Sequence, residues 1–189
     1  MLNYYSSIKE EKSYSGLTVK EISPLMKLIL RGKSREFLAT IGKNVNMILP
    51  MEANTSSSSD NYTSIWLSPD EWMLVSNNTV DKENNKYEIE ELLFNKISKT
   101  KLGAVVDVSD QLVMISIEGE KIFDLLSASC PFNFNEFKNK KGAVTQTLLL
   151  QIDVIIHLKE INTVNLYVRK SFSEHLMSWI DDTASRLLP

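Results

Sequence analysis

Two histidines, one cysteine and the adjacent carboxylates Asp70 and Glu71 are side chains whose types suit chemistry. His157 and His175 are candidate bases or metal ligands, but neither has an acidic or cysteine neighbour at ligand spacing. His157 lies in an apolar stretch, 154–158, and His175 lies near Ser178 and Trp179 in a helical pattern, so both read as structural or surface histidines. Cys130 precedes Pro131 just after an apolar helix and reads as a small packed residue rather than a nucleophile. Asp70 and Glu71 would make an acid/base pair, yet their place in Ser68-Pro69-Asp70-Glu71 is that of solvated turn residues. Asp107, Asp110 and Glu118 flank strands and read as turn carboxylates. The basic segment Val168-Arg169-Lys170-Ser171-Phe172 opens a helix. It suits an anion or a partner's carboxylate as well as it suits a local hydrogen bond. The chain has six glycines and no phosphate-cradling loop. These residues define no catalytic constellation, so no catalytic, cofactor-binding or metal-binding residue is assigned.

The elements that must position these residues are organised by a repeat. Residues 16–32, GLTVKEISPLMKLILRG, and residues 103–119, GAVVDVSDQLVMISIEG, align without a gap at an offset of 87 (103 − 16). Val19 matches Val106, Leu25 matches Leu112, Leu28 matches Ile115 and Leu30 matches Ile117. Each copy reads as strand, tight turn, strand, and a unit used twice defines the architecture. A polar arm is expected over 1–15, then strands over 17–22 and 25–30 and a short helix over 35–41 closed by Gly42. The serine run at 56–59 reads as a flexible loop. A hairpin is expected over 65–75, anchored by Trp66 and Trp72, followed by a second polar loop over 76–85. A helix over 86–99 should bury Ile89, Leu92, Leu93, Lys96 and Ile97 on one face.

The second half continues with a helix over 120–127 and an irregular connection over 130–141, whose Phe132, Phe134 and Phe137 read as a plug at the edge of a core. Strands are expected over 143–150, 152–158 and 164–169. The capping box Ser171–Glu174 should then open a last helix with Phe172, Leu176, Trp179, Ile180 and Leu187 inward. The fold class is therefore α+β: two pseudo-repeated ferredoxin-like βαββα halves, 16–101 and 102–189, with antiparallel sheets and helices on one face of each. The two halves are expected to form one compact domain, with the repeated strand unit shared by both sheets.

Composition narrows the functional classes. At 189 residues and 43% hydrophobic, the chain can bury a full core. A net charge of −3 argues against a nucleic-acid surface, which needs a basic face. A lone cysteine excludes a disulfide framework and fits a reducing compartment. With no signal-peptide pattern and no apolar run of about 18 residues, the expectation is a soluble cytoplasmic protein.

Several stretches together resemble the gamma subunit of heterotetrameric sarcosine oxidase. They are Trp66-Leu67-Ser68-Pro69-Asp70-Glu71-Trp72, Val106-Asp107-Val108-Ser109-Asp110, Gly119 with Leu125-Leu126, Cys130-Pro131, and Val168-Arg169-Lys170-Ser171-Phe172. They occur in the family's order from about Leu17 to the last helix. The resemblance implies the folate-binding fold of aminomethyltransferases. It further implies an αβγδ complex that demethylates sarcosine oxidatively, yielding glycine, methylenetetrahydrofolate and hydrogen peroxide. FAD, FMN, NAD, zinc and tetrahydrofolate would then belong to partner subunits, and none to this chain. It would be a non-catalytic subunit meeting the alpha subunit's folate-binding region, with beta and delta as further partners. Two alternatives are the small subunit of a related N-methylated amino-acid dehydrogenase, such as N-methylglutamate dehydrogenase, and a free-standing folate-binding protein. The latter family is similar to aminomethyltransferases and carries a Lys-Gly-Cys-aromatic-x-Gly-Gln signature. Here Lys141-Gly142-Ala143-Val144-Thr145-Gln146 stands in its place, without the cysteine, the aromatic or the second glycine. Three patches are candidates for contact with a partner: the aromatic loop 132–137, the hairpin tip at Pro69 and the N-terminal arm.

Overall fold

A computed structural model describes residues 6, 8, 11–79 and 88–187. The described residues fold as two compact units, one of 24–79 and 88–110, the other of 11–23 and 111–187. In the first unit β3 (Lys27–Arg31) leads into α1 (Arg35–Val45), followed by β4 (Ser56–Ser58), β5 (Tyr62–Ser68), β6 (Glu71–Ser76), α2 (Glu88–Leu93), a π-helical turn (Phe94–Ser98) and β7 (Ala104–Asp107). The second contains β1 (Lys12–Tyr14), β2 (Leu17–Ile22), β8 (Leu112–Gly119), α3 (Ile122–Ser127), α4 (Phe134–Phe137), β9 (Val144–Leu149), β10 (Ile152–Glu160), β11 (Thr163–Arg169) and α5 (Lys170–Leu187).

The strand orders are β4-β5-β6-β3-β7 and β1-β2-β8-β11-β10-β9, antiparallel throughout. Adding 87 to Leu17 and Arg35 gives Ala104 and Ile122, the first residues of β7 and α3. The two copies of the repeat are thus structurally equivalent, but neither forms a hairpin. β2 pairs with β8, and β7 pairs with β3. The halves expected at 16–101 and 102–189 therefore exchange a strand, and the units part at 23/24 and 110/111. Each copy contributes to both sheets, because its turn carries the chain from one sheet to the other.

The glycines that bound the repeat explain how the exchanged strands fit. A Cβ on Gly119, whose φ is +138°, would lie 2.1 Å from the carbonyl oxygen of Gly16. A Cβ on Gly103 would lie 2.3 Å from the carbonyl oxygen of Arg31, and the Phe37 ring fills the space beside both Gly103 and Gly32. The glycines thus meet in pairs, Gly16 with Gly119 and Gly32 with Gly103. Only a residue without a side chain lets the backbones approach this closely.

Period-2 alternation selects the core face of each sheet. In the first unit Leu28, Leu30, Trp72, Leu74 and Val105 pack with Phe37, Ile41 and Val45 of α1 and with Leu93 and Ile97. In the second, Val19, Ile115, Ile117, Ile156, Leu166 and Val168 pack with Leu125 of α3 and Leu176 and Ile180 of α5. The indole Nε1 of Trp72 donates to the carbonyl of Pro50 at 2.8 Å, so the ring is buried with its one polar atom satisfied.

Several local expectations change. The serine run is no loop: Ser56–Ser58 is an edge strand paired with β5, since backbone pairing at an edge does not require apolar side chains. α1 runs through Gly42 to Val45 and is closed by Asn46 in the left-handed conformation, φ 51°. Leu92 and Lys96 face outward because the helix widens to a π turn after Leu93, leaving only Leu93 and Ile97 fully inward. The start of that expected helix, and residues 80–85 of the second polar loop, lie outside the described residues. α5 begins at Lys170, so Ser171 is inside the helix rather than its cap. Its inward stripe is Ser173, Leu176, Met177, Ile180 and Ala184, leaving Phe172 and Leu187 exposed. Of the expected N-terminal arm, Lys12–Tyr14 forms an edge strand. Lys12 and the Tyr14 hydroxyl both bind Asp181 of α5, the hydroxyl at 2.7 Å.

Candidate functional site

The structure keeps the chemically competent residues apart and engages most of them locally. Among the described residues no group of three or more His, Cys, Asp and Glu side chains is placed to hold a metal. His157 is buried in β10, between Val144 of β9 and Asn165 of β11 in the ladder. Burial, and then the nearby Lys159 charge, push its pKa down to about 4. It is thus a neutral interior imidazole at pH 7. His175 lies on the exposed side of α5. Cys130 is buried, with its amide donating to the Leu126 carbonyl at 3.0 Å and its Sγ 3.8 Å from Thr147 Oγ1.

The carboxylates hold turns and strand ends. Asp70 accepts from the Ser68 hydroxyl at 3.0 Å and faces the Lys33 ammonium at 3.5 Å, while its carbonyl accepts from the Gly32 amide. The serine hydrogen bond, with help from Lys33, holds its pKa below the usual carboxylate range. Glu71 lies 3.7 Å from Arg31. The Asp70–Glu71 pair therefore fastens the β5–β6 turn to the end of β3. Asp107 accepts from the amide and hydroxyl of Ser109, whose oxygen in turn accepts from the Lys27 amide. Glu118 pairs with Lys20 at 3.0 Å. The hydrogen bonds from Lys12 and Tyr14 depress Asp181, and burial together with Asp181 raises the Tyr14 phenol well above its ordinary value.

The aromatic connection is a plug, as its spacing suggests. Phe134 and Phe137 are buried, and with Phe123 and Phe132 they form a cluster with ring centroids 5.1–6.4 Å apart. One feature not marked by any reactive residue is a groove of about 640 Å³ at the C-terminal end of α1. Leu38, Gly42, Met47 and Leu49 line it, and Ile48 and Met51 beside it are 86% and 63% exposed. The apolar run after the helix was its only signal in the sequence. Lys43 and Asn46 are the polar residues of its lining, and an exposed apolar surface of this kind suits contact with another protein's apolar side chains.

Among the described residues no helix is long and apolar enough to cross a membrane. No curated protein matches the sequence. Solved structures match the fold. One is a heterotetrameric sarcosine oxidase from Corynebacterium sp. U-96, in complex with pyrrole 2-carboxylate. It aligns at TM-score 0.79 and 22% identity, over 93% of this chain and 87% of that one. Another is the glycine cleavage system aminomethyltransferase T from Bartonella henselae, at TM-score 0.65 and 12% identity. That alignment covers 88% of this chain and 46% of the aminomethyltransferase. The chain is therefore an α+β protein with two antiparallel sheets, of the fold these proteins share.

The model of the sarcosine oxidase, gamma subunit family matches residues 31–186. The chain belongs to that family, as the ordered motifs implied.

Proposed function

We propose that this chain is the gamma subunit of a heterotetrameric sarcosine oxidase and contributes assembly rather than chemistry. The family match across residues 31–186 carries the reading. Two structural facts support a non-catalytic role: Asp70 and Asp107 are bonded within turns and Glu71 faces Arg31 of β3, and His157 and Cys130 are buried. The holoenzyme reaction is oxidative demethylation of sarcosine, giving glycine and hydrogen peroxide and passing the one-carbon unit to tetrahydrofolate. FAD, FMN, NAD, zinc and the folate site reside on the alpha, beta and delta subunits. The complex works in the cytoplasm, a location supported by the single cysteine.

The contact surface we assign is the groove beside Ile48 and Met51, facing the folate-binding region of the alpha subunit. Of the three patches suggested by sequence, the aromatic loop turns Phe134 and Phe137 into the core, and the hairpin tip is occupied by Lys33 and Gly32.

Co-expression of the tagged chain with alpha, beta and delta subunits tests both statements. The expected result is a retained complex with flavin absorbance that forms peroxide from sarcosine, while the chain alone forms none. Ile48→Asp with Met51→Asp should weaken retention at least about tenfold, because buried charge replaces an apolar contact. A chain that elutes alone beside an intact flavin complex overturns the assignment.

A further inference from the structure

The first rows of the second sheet carry a pair of opposite charges that the fold leaves unused. The ladder pairs Val154 with Val168, so the next residues outward, Asp153 of β10 and Arg169 of β11, are cross-strand neighbours. Asp153 is opposite Leu148 of β9, and Arg169 is opposite Leu112 of β8. Leu148, Asp153, Arg169 and Leu112 thus form one transverse row on one face of the sheet. Two residues inward on the same face, Ile155 and the buried Tyr167 are paired and floor a concavity of about 430 Å³. That volume lies within the range of small-molecule sites.

Among the described residues, neither Arg169 nor Asp153 forms an ion pair. Both are exposed at the mouth of the concavity. The juxtaposition restricts what can bind. A simple anion drawn to Arg169 is repelled by Asp153, and a simple cation meets the reverse. A ligand carrying both charges a few ångströms apart satisfies both, at the spacing of cross-strand neighbours. Its carboxylate would take the forked donors of Arg169 and its ammonium the carboxylate of Asp153. An apolar side chain would rest on Ile155 and the Tyr167 ring, between the two leucines.

We propose that this concavity is a binding site for a free, zwitterionic amino acid with an apolar side chain. The site stands on this chain's own residues and does not depend on the assembly proposed above.

Calorimetric titration of the purified full-length chain with L-leucine tests it. The two controls are 4-methylpentanoate and 3-methylbutylamine, which each lack one charge. Saturable binding of leucine is expected, with either control at least about tenfold weaker. Arg169→Gln and Asp153→Asn, both at exposed positions, should each weaken leucine binding to a similar extent while leaving the thermal unfolding temperature unchanged. The absence of saturable leucine binding overturns the proposal. So does a carboxylate control that binds as well as leucine, or leucine binding kept within about twofold in both variants. Loss of subunit association in Arg169→Gln, without leucine binding in the parent, would mark the row as a protein contact and likewise overturn it.

Discussion

Alanine in place of Gly119 is expected to destabilise the second unit by on the order of 4 kcal/mol. Two costs add. The backbone there has φ +138°, a region that only glycine occupies without strain. The new methyl carbon would also lie 2.1 Å from the carbonyl oxygen of Gly16, at the point where β2 joins β8. Relief requires the two backbones to separate, which breaks the end of the ladder that starts at Leu17 and Gly119. Urea unfolding followed by circular dichroism measures the loss as a lowered midpoint. A midpoint equal to that of the parent protein would mean that the two strand ends do not approach as described.

Acid should weaken the fold through His157, by roughly 3 kcal/mol between neutral pH and pH 4. The folded-state pKa of about 4 lies below the ordinary 6.5, because burial disfavours the imidazolium and Lys159 adds repulsion. Between these values the unfolded chain binds a proton that the folded chain refuses. The contribution is therefore complete above pH 6.5 and is lost progressively as pH falls towards 4. Carboxylates titrate in the lower part of the same window, so the comparison must be with His157→Gln. The variant should be less stable at pH 7, but its stability should fall less steeply with acid, by up to one bound proton. Parallel pH profiles for the two proteins would overturn the assignment of the acid sensitivity to this residue.

Much of the fold was legible because local physics set it. The gapless match between 16–32 and 103–119 identified the repeated element, and the alternation within it marked the strands. The apolar spacing in α5 correctly placed Leu176 and Ile180 inward, though not Phe172 or Leu187, which stay exposed near the two ends of a helix that starts at Lys170, two residues earlier than expected. The edge strand at Ser56–Ser58 was not legible, since its pairing rests on backbone groups that every residue carries. The turn roles of Asp70 and Asp107 could be inferred from neighbouring residues, whereas Glu118 lies within β8 and pairs across strands with Lys20. The groove beside Ile48 could not, because exposure depends on what lies over a side chain in space.

By itself, the sequence determined the α+β class, the duplicated strand unit, the family and the scarcity of reactive groups, all properties of residue order. The tertiary structure alone decided which sheet each copy's strands join. It alone brought Gly16 to Gly119, and Asp153 beside Arg169. The reason is that strand pairing is a long-range contact: its hydrogen bonds are the same for any sequence, and its register is settled only when whole faces are buried together.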